Sequence, residues 1–262
     1  MKKTVSFLLT FFTVVLCFML PVSATRTGVD WYCAHVKGHV QPTVGRDIAF
    51  AEEEGAYFID RSHTEPDSED KVLYLTFDAG YENGNVEKIL DVLKEQEVPA
   101  AFFILGNLVT KNASLVKRMA EEGHTVCNHT VSHKDMSRVS DKELLEELHA
   151  LESLYETHVG GTLSRFYRPP EGRFSRENLI CARENGYITV FWSFAYPDWD
   201  NQRQMSADKA KKIIMENVHN GEIMLLHPTS ETNAAILRDV IVDLKAQGYR
   251  FGTLDELTAQ GE

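Results

Sequence analysis

The pattern of apolar and polar positions changes at about residue 71. Beyond it, short apolar runs alternate with segments whose apolar residues recur at helical spacing. Val72-Leu73-Tyr74-Leu75-Thr76-Phe77 reads as a strand, and residues 85–96 place Val86, Ile89, Leu90 and Leu93 on one helical face. The same reading gives strands over 100–105, 124–128, 163–167, 187–192, 222–226 and 249–251. Helices fall over 114–122, 141–157, 176–185, 207–219 and 233–247. Ser140 with Glu143 has capping-box spacing, Ser175 and Ser206 stand as caps, and Gly123, Gly186 and Gly248 stand as stops. Strand and helix alternating about seven times predict a parallel sheet with right-handed crossovers. Seven units suggest an α/β barrel closed by fewer strands than the usual eight, with a doubly wound open sheet as the alternative.

Residues 25–70 show no such period and read as an arm packing on the barrel of residues 71–258, with a short helix over 47–54. At the start, Lys2 and Lys3 precede an uncharged apolar run over 5–20, followed by the small residues of Val22-Ser23-Ala24. This is the pattern of a signal peptide over 1–24, cut after Ala24, and places the mature protein outside the cytoplasmic membrane. An uncleaved membrane anchor is the alternative, although the run is short for a full span. The formal net charge of −12, with no basic stripe, argues against a nucleic-acid partner. After the leader only Cys33, Cys127 and Cys181 remain, too few for a disulfide framework.

A barrel keeps its chemistry at the C-terminal ends of its strands. Asp78, the pair His129 and His133, Arg168, Asp198 and His227 all fall just beyond predicted strands. Two imidazoles four apart can hold a divalent ion, which lowers the pKa of a bound water and polarises a carbonyl. Asp78 can take the water's proton, Arg168 can keep that carboxylate ionised, and His227 paired with Asp198 can donate a proton to a leaving amine. These are parts for metal-assisted amide hydrolysis. Read blandly, each is a solvated loop residue, a reading that weakens when all six share one face. The arm histidines His35, His39 and His63 read as solvated, and His124, His149, His158 and His219 as surface residues.

Thr76-Phe77-Asp78, His129-Thr130-Val131-Ser132-His133, Arg168-Pro169-Pro170-Glu171-Gly172, Asp198-Trp199 and Leu225-Leu226-His227 resemble the five ordered motifs of the NodB-like polysaccharide deacetylases, the fourth carbohydrate esterase family. The resemblance implies a distorted (β/α)7 barrel that removes acetyl groups from glycans with one divalent metal ion, zinc or alternatively cobalt. It implies Asp78 as base, His227 as acid tuned by Asp198, Arg168 orienting Asp78, and His129 and His133 as metal ligands. Trp199 and Tyr81 would contact substrate, and the Glu171 backbone N–H would meet the oxyanion, being the first amide after two prolines.

One position departs from the family. The residue after the first Asp is usually a second acid and the third metal ligand, and here it is Ala79. Three explanations compete: two histidines with water and substrate suffice, Asp78 itself approaches the metal, or the protein binds glycan without catalysis. Cys127 has the strand phase of His129 but reads as a buried core thiol. Thr76-Phe77-Asp78-Ala79-Gly80-Tyr81-Glu82-Asn83-Gly84 and Phe191-Trp192-Ser193-Phe194-Ala195 resemble the members that prepare muramic δ-lactam in spore cortex, where that residue is also not acidic. The implied substrate is peptidoglycan N-acetylmuramic acid whose stem peptide an amidase has removed. A deacetylase of N-acetylglucosamine in peptidoglycan or chitin-like glycan is the alternative.

Overall fold

The structure, a computed structural model, describes residues 26–259, and the leader read over 1–24 lies outside the described residues. The strands are β1 (Val29–Asp30), β2 (Lys71–Ala79), β3 (Ala101–Ile104), β4 (Thr125–Asn128), β5 (Phe166–Tyr167), β6 (Arg173–Phe174), β7 (Ile188–Thr189), β8 (Phe194–Ala195), β9 (Glu222–Leu226) and β10 (Tyr249–Phe251). The helices are α1 (Phe50–Glu53), α2 (Val86–Gln96), α3 (Gly106–Lys111), α4 (Ala113–Glu121), α5 (Asp141–His158), α6 (Arg176–Glu184), α7 (Ala207–Asn217), α8 (Glu231–Ala246) and α9 (Leu254–Ala259). One parallel sheet runs β7-β5-β4-β3-β2-β9-β8, and β10 adds to the first residues of β2.

β2 explains the site's position. Its side chains alternate with period 2. Leu73, Leu75, Phe77 and Ala79 join the helix-side core with Phe102, Ile104, Met224 and Leu226. Val72 and Tyr74 turn inward and pack with Phe103, Cys127, Phe166 and Ile223. Asp78 keeps the inward phase, one residue before the strand ends, and pairs in register with Phe103. The helix side is sealed by amphipathic helices whose apolar faces, such as Ile89, Leu90 and Leu93 on α2, are fully buried. Burial of each such side chain contributes about 1.5–3 kcal/mol.

The predicted strand over 187–192 is corrected. Only Ile188–Thr189 of it form a strand, β7, and the next strand, β8, begins at Phe194; the two lie at opposite ends of the strand order with only residues 190–193 between them. Five Cα steps span at most about 17 Å. The sheet therefore curls so that its ends approach each other, and the chain crosses the gap between them, the closure seam, after pairing with β5. Residues 57–60 line that seam: Tyr57 bridges Val190 in parallel, Ile59 bridges Glu222 antiparallel, and the Asp60 N–H donates to the Gly221 carbonyl at 2.8 Å. The strand over 163–167 shortens to β5, and the arm helix to α1. α3 and α9 were not anticipated, being too short to show a period. Ser140 and Glu143 form the capping box and Ser175 caps α6, while the Ser206 hydroxyl makes no cap bond. The described helices include none long and apolar enough to cross a membrane.

Candidate active site

At the C-terminal ends of the strands lies a cavity of about 750 Å³. Asp78, Tyr81, His129, His133, Glu171, Trp199 and His227 line it. Arg168 and Asp198 stand behind this wall, buried, each holding one lining residue.

Arg168 follows β5 and is wholly buried inside the barrel. Its Nη1 donates to Asp78 Oδ1 at 2.8 Å, its Nη2 to Thr76 Oγ1 and the Phe191 carbonyl at 3.0 Å, and its Nε to the Val190 carbonyl at 2.9 Å. The guanidinium lies over the Phe103 ring at 4.1 Å. One side chain thus ties the base on β2 to residues 190 and 191, where the chain crosses the closure seam. Burial alone would raise the Asp78 carboxyl, but the charge of Arg168, aided by His129 and His227, holds it below its ordinary value.

The histidine pair sits on a pinned loop. Asn128, the last residue of β4, accepts the Thr130 N–H at 2.9 Å, and Thr130 Oγ1 accepts the His133 N–H at 3.0 Å. Thr130 and His133 both have left-handed backbone, φ 71° and 58°, a conformation costing about 1–3 kcal/mol at a non-glycine residue. Glu147 of α5 compensates. Its carboxylate accepts the Ser132 N–H at 3.0 Å and hydroxyl at 2.7 Å, and pairs with Lys134 at 2.7 Å. Charge-assisted bonds on both sides of His133 hold the strained turn.

His129 Nδ1 lies 2.8 Å from the Arg168 carbonyl, which only accepts, so Nδ1 carries the proton. Nε2 keeps its lone pair and stands 3.5 Å from Asp78 Oδ2. Burial pushes this imidazole down to about 4. A neutral histidine with a carbonyl behind it has the outer-sphere support of a metal ligand. The His133 ring is 5.2 Å away, edge to face. These two imidazoles fit two arms of a divalent-ion site. Among the described residues no group of three or more His, Cys, Asp or Glu side chains is placed to hold an ion, and Ala79 is buried in the helix-side core. Cys127 is a core residue in the cluster of Tyr74, Phe103 and Phe166, and burial raises its thiol to about 12.

His227 follows β9. Its Nδ1 donates to Asp198 Oδ1 at 2.7 Å, and its own backbone N–H donates to Asp198 Oδ2 at 2.7 Å. Burial opposes a charged imidazole, but Asp198, with help from Asp78, raises its pKa above the ordinary histidine value. Nε2 is left for the cavity. The Trp199 ring lies 6.4 Å from the imidazole and is largely exposed. Tyr81, also exposed, accepts from Asn201 Nδ2 at 2.5 Å. Glu171 has φ 56°, turning the backbone after Pro169 and Pro170, and its carboxylate pairs with Arg173 at 2.9 Å. Gly172 must be glycine: at φ 67° a Cβ would stand 2.8 Å from Trp192 and 2.9 Å from Trp31.

Four contributors were missed in the sequence: Thr76, Glu147, Tyr196 and Asn233. Only Thr76 carried a signal, as part of the Thr76-Phe77-Asp78 motif, though its hydroxyl was given no role. Three histidine readings are also corrected. His219 is buried, with Nε2 2.8 Å from Ser193 Oγ, and His124 is buried against Phe102; burial pushes both down to about 4. His63 is engaged by Asp60 at 2.7 Å and Asp70 at 3.2 Å rather than solvated.

A parallel α/β barrel with a carboxylate held by arginine, a histidine held by aspartate and two loop histidines defines a class. The polysaccharide deacetylase family model matches residues 65–190. PdaA of Bacillus subtilis, a peptidoglycan-N-acetylmuramic acid deacetylase, is 35% identical over 89% of this chain and 87% of its own. The chain belongs to the polysaccharide deacetylase family. The solved structure of PdaA, described as a family 4 carbohydrate esterase, superposes with a TM-score of 0.83 at 35% identity, covering 90% of this chain and 98% of that one. A peptidoglycan-N-acetylglucosamine deacetylase of Bacillus cereus is 34% identical over 72% of this chain and 88% of its own. BA3943 of Bacillus anthracis, described as a CE4 family pseudoenzyme, superposes with a TM-score of 0.67 at 28% identity, over 74% of this chain and 67% of that one.

Proposed function

We propose that this polysaccharide deacetylase hydrolyses the acetamide of N-acetylmuramic acid in peptidoglycan freed of stem peptides, a step toward muramic δ-lactam in spore cortex. One observation carries the chemistry: a carboxylate fixed by Arg168 and an imidazole fixed by Asp198 line the same cavity as two loop histidines. Likeness to PdaA over nearly the whole chain supports the muramic substrate.

A divalent ion on His129 and His133, zinc or cobalt, would polarise the acetyl carbonyl and lower the pKa of a water. Asp78 accepts the proton of the attacking water through Oδ2, since Oδ1 is held by Arg168. The Glu171 backbone N–H meets the oxyanion of the tetrahedral carbon. His227 gives its Nε2 proton to the leaving amine, and Asp198 stabilises the imidazolium beforehand. Tyr81 and Trp199 hold the sugar at the cavity mouth. A cleaved leader and a peptidoglycan substrate would put the protein outside the cytoplasmic membrane, on the wall or spore cortex.

Two other readings have a motive. The Bacillus cereus relative favours N-acetylglucosamine, and Ala79 favours a non-catalytic glycan binder like the pseudoenzyme. Mass analysis of peptide-stripped peptidoglycan after incubation separates them. Loss of acetyl from muramic residues is expected. Loss only from glucosamine residues contradicts the muramic substrate, and binding without any loss contradicts catalysis.

A further inference from the structure

We infer that Asn233, on the first turn of α8, is a positioning residue that clamps Asp198 onto His227 and so keeps the acid of the reaction in place. The amide touches both members of the pair. Its Nδ2 donates to Asp198 Oδ2 at 2.6 Å and to the His227 backbone carbonyl at 3.0 Å. Its Oδ1 accepts from the Tyr196 hydroxyl, and Tyr196 is a cavity-lining residue. That acceptor fixes which end of the amide faces the carboxylate, because a hydroxyl donates there and a carboxylate can only accept.

The clamp has a specific geometric effect. Asp198 is buried, and Oδ1 alone bonds the imidazole. Oδ2 takes two donors, the His227 backbone N–H and Asn233 Nδ2. Those bonds set the rotation of the carboxylate and hence the line from Oδ1 to Nδ1. Without Asn233 a buried oxygen loses a charge-assisted donor, and the carboxylate turns toward other partners at the expense of the imidazole. Gln204 Nε2 restrains only the Asp198 carbonyl, at 3.0 Å. The other groups facing His227 are Asp78 and Arg168 across the barrel, acting in opposite senses, and the Trp199 ring. Neither charged group is tied to Asn233 by a hydrogen bond, so its effect travels through Asp198. A plain structural role is the rival: the Asn233 N–H also bonds the Ser230 cap at 3.1 Å.

The deacetylase arms of the test rest on the proposed function, but its first arm does not. NMR titration of the His227 ring is compared in wild type, Asn233→Ala and Asn233→Leu, the latter keeping volume. The His227 midpoint is expected to fall by about half a unit or more in both variants. In wild type the Asn233 side-chain amide resonance is expected to follow the His227 titration. Turnover should drop about tenfold with KM within twofold, and the alkaline limb of the rate should move to lower pH. In an Asp198→Asn background, Asn233→Ala should cost less than twofold more, since the effect is already lost. An unshifted His227 midpoint in a folded variant, or a wild-type Asn233 resonance blind to His227, overturns the clamp. Absence of acetate release by wild type overturns the proposed function and leaves the titration arm decisive.

Discussion

Arg168→Met removes the tie between the base and the seam while keeping most of the side-chain volume. In wild type the guanidinium serves Asp78, Thr76 and the Val190 and Phe191 carbonyls inside the barrel. Taking one partner from a buried ion pair costs about 3–5 kcal/mol. Two carbonyls left unpaired cost about 1–3 kcal/mol each, and water entering from the cavity offsets part of that. A loss of roughly 5 kcal/mol corresponds to about 10–20 °C in Tm for a domain of this size. Arg168→Lys should lose less, because an ammonium keeps the charge but cannot fork to reach all four acceptors. The pH dependence follows from Asp78. Its folded-state pKa lies below the ordinary value, so the pair's contribution is full above about pH 4 and is lost as pH falls through the depressed value. In Arg168→Met the lone carboxylate is desolvated and protonates well above pH 4. The Tm gap between the two proteins should therefore be widest near neutrality and narrow toward pH 4, as read by calorimetry across that range. A Tm within about 3 °C of wild type at pH 7, or a gap that widens on acidification, would refute the reasoning.

Three further outcomes are expected. His227→Ala should lower turnover by about 10²–10⁴-fold with little change in KM, and because the folded imidazole pKa is raised, wild-type activity should persist above the ordinary histidine range and fall as pH rises through the raised value. Glu147→Gln should weaken metal binding about 10–100-fold in calorimetric titration, since the His133 turn loses its charge-assisted ties; unchanged affinity would remove Glu147 from that role. Glu222 is buried, and desolvation raises its pKa well above the ordinary value. Its contribution is present below about pH 4 and is lost as pH rises toward the folded-state value, so Glu222→Gln should flatten the fall in stability toward alkaline pH in denaturant melts.

The functional end of the barrel was legible because Asp78, His129 and His227 fall just beyond strand-length apolar runs. The alternation of β2, with Leu73, Leu75 and Phe77 toward the helices and Val72 and Tyr74 inside, emerged only with the structure. Asp78, His129, His133 and His227 were read from where they fall beyond strands, and Tyr81, Glu171 and Trp199 from the family resemblance. The seam was not legible. Residues 187–192 are apolar whether they pair with one neighbour or pass between two, and composition does not record that β7 and β8 face opposite edges. The supporting residues were hidden for a related reason. Asn233 and Glu147 sit on helices at positions where a polar residue ordinarily meets solvent, and only the fold turns them toward Asp198 and Ser132. His219 and His124 looked like surface residues because local sequence does not show what packs over a loop or strand start.

The most direct test is acetate release from amidase-treated peptidoglycan by metal-stripped protein, with and without added zinc or cobalt, alongside Asp78→Asn. Release restored by metal in wild type and absent in Asp78→Asn is the predicted result. No release by folded, metal-loaded wild type would contradict a working deacetylase built on two histidines and Ala79.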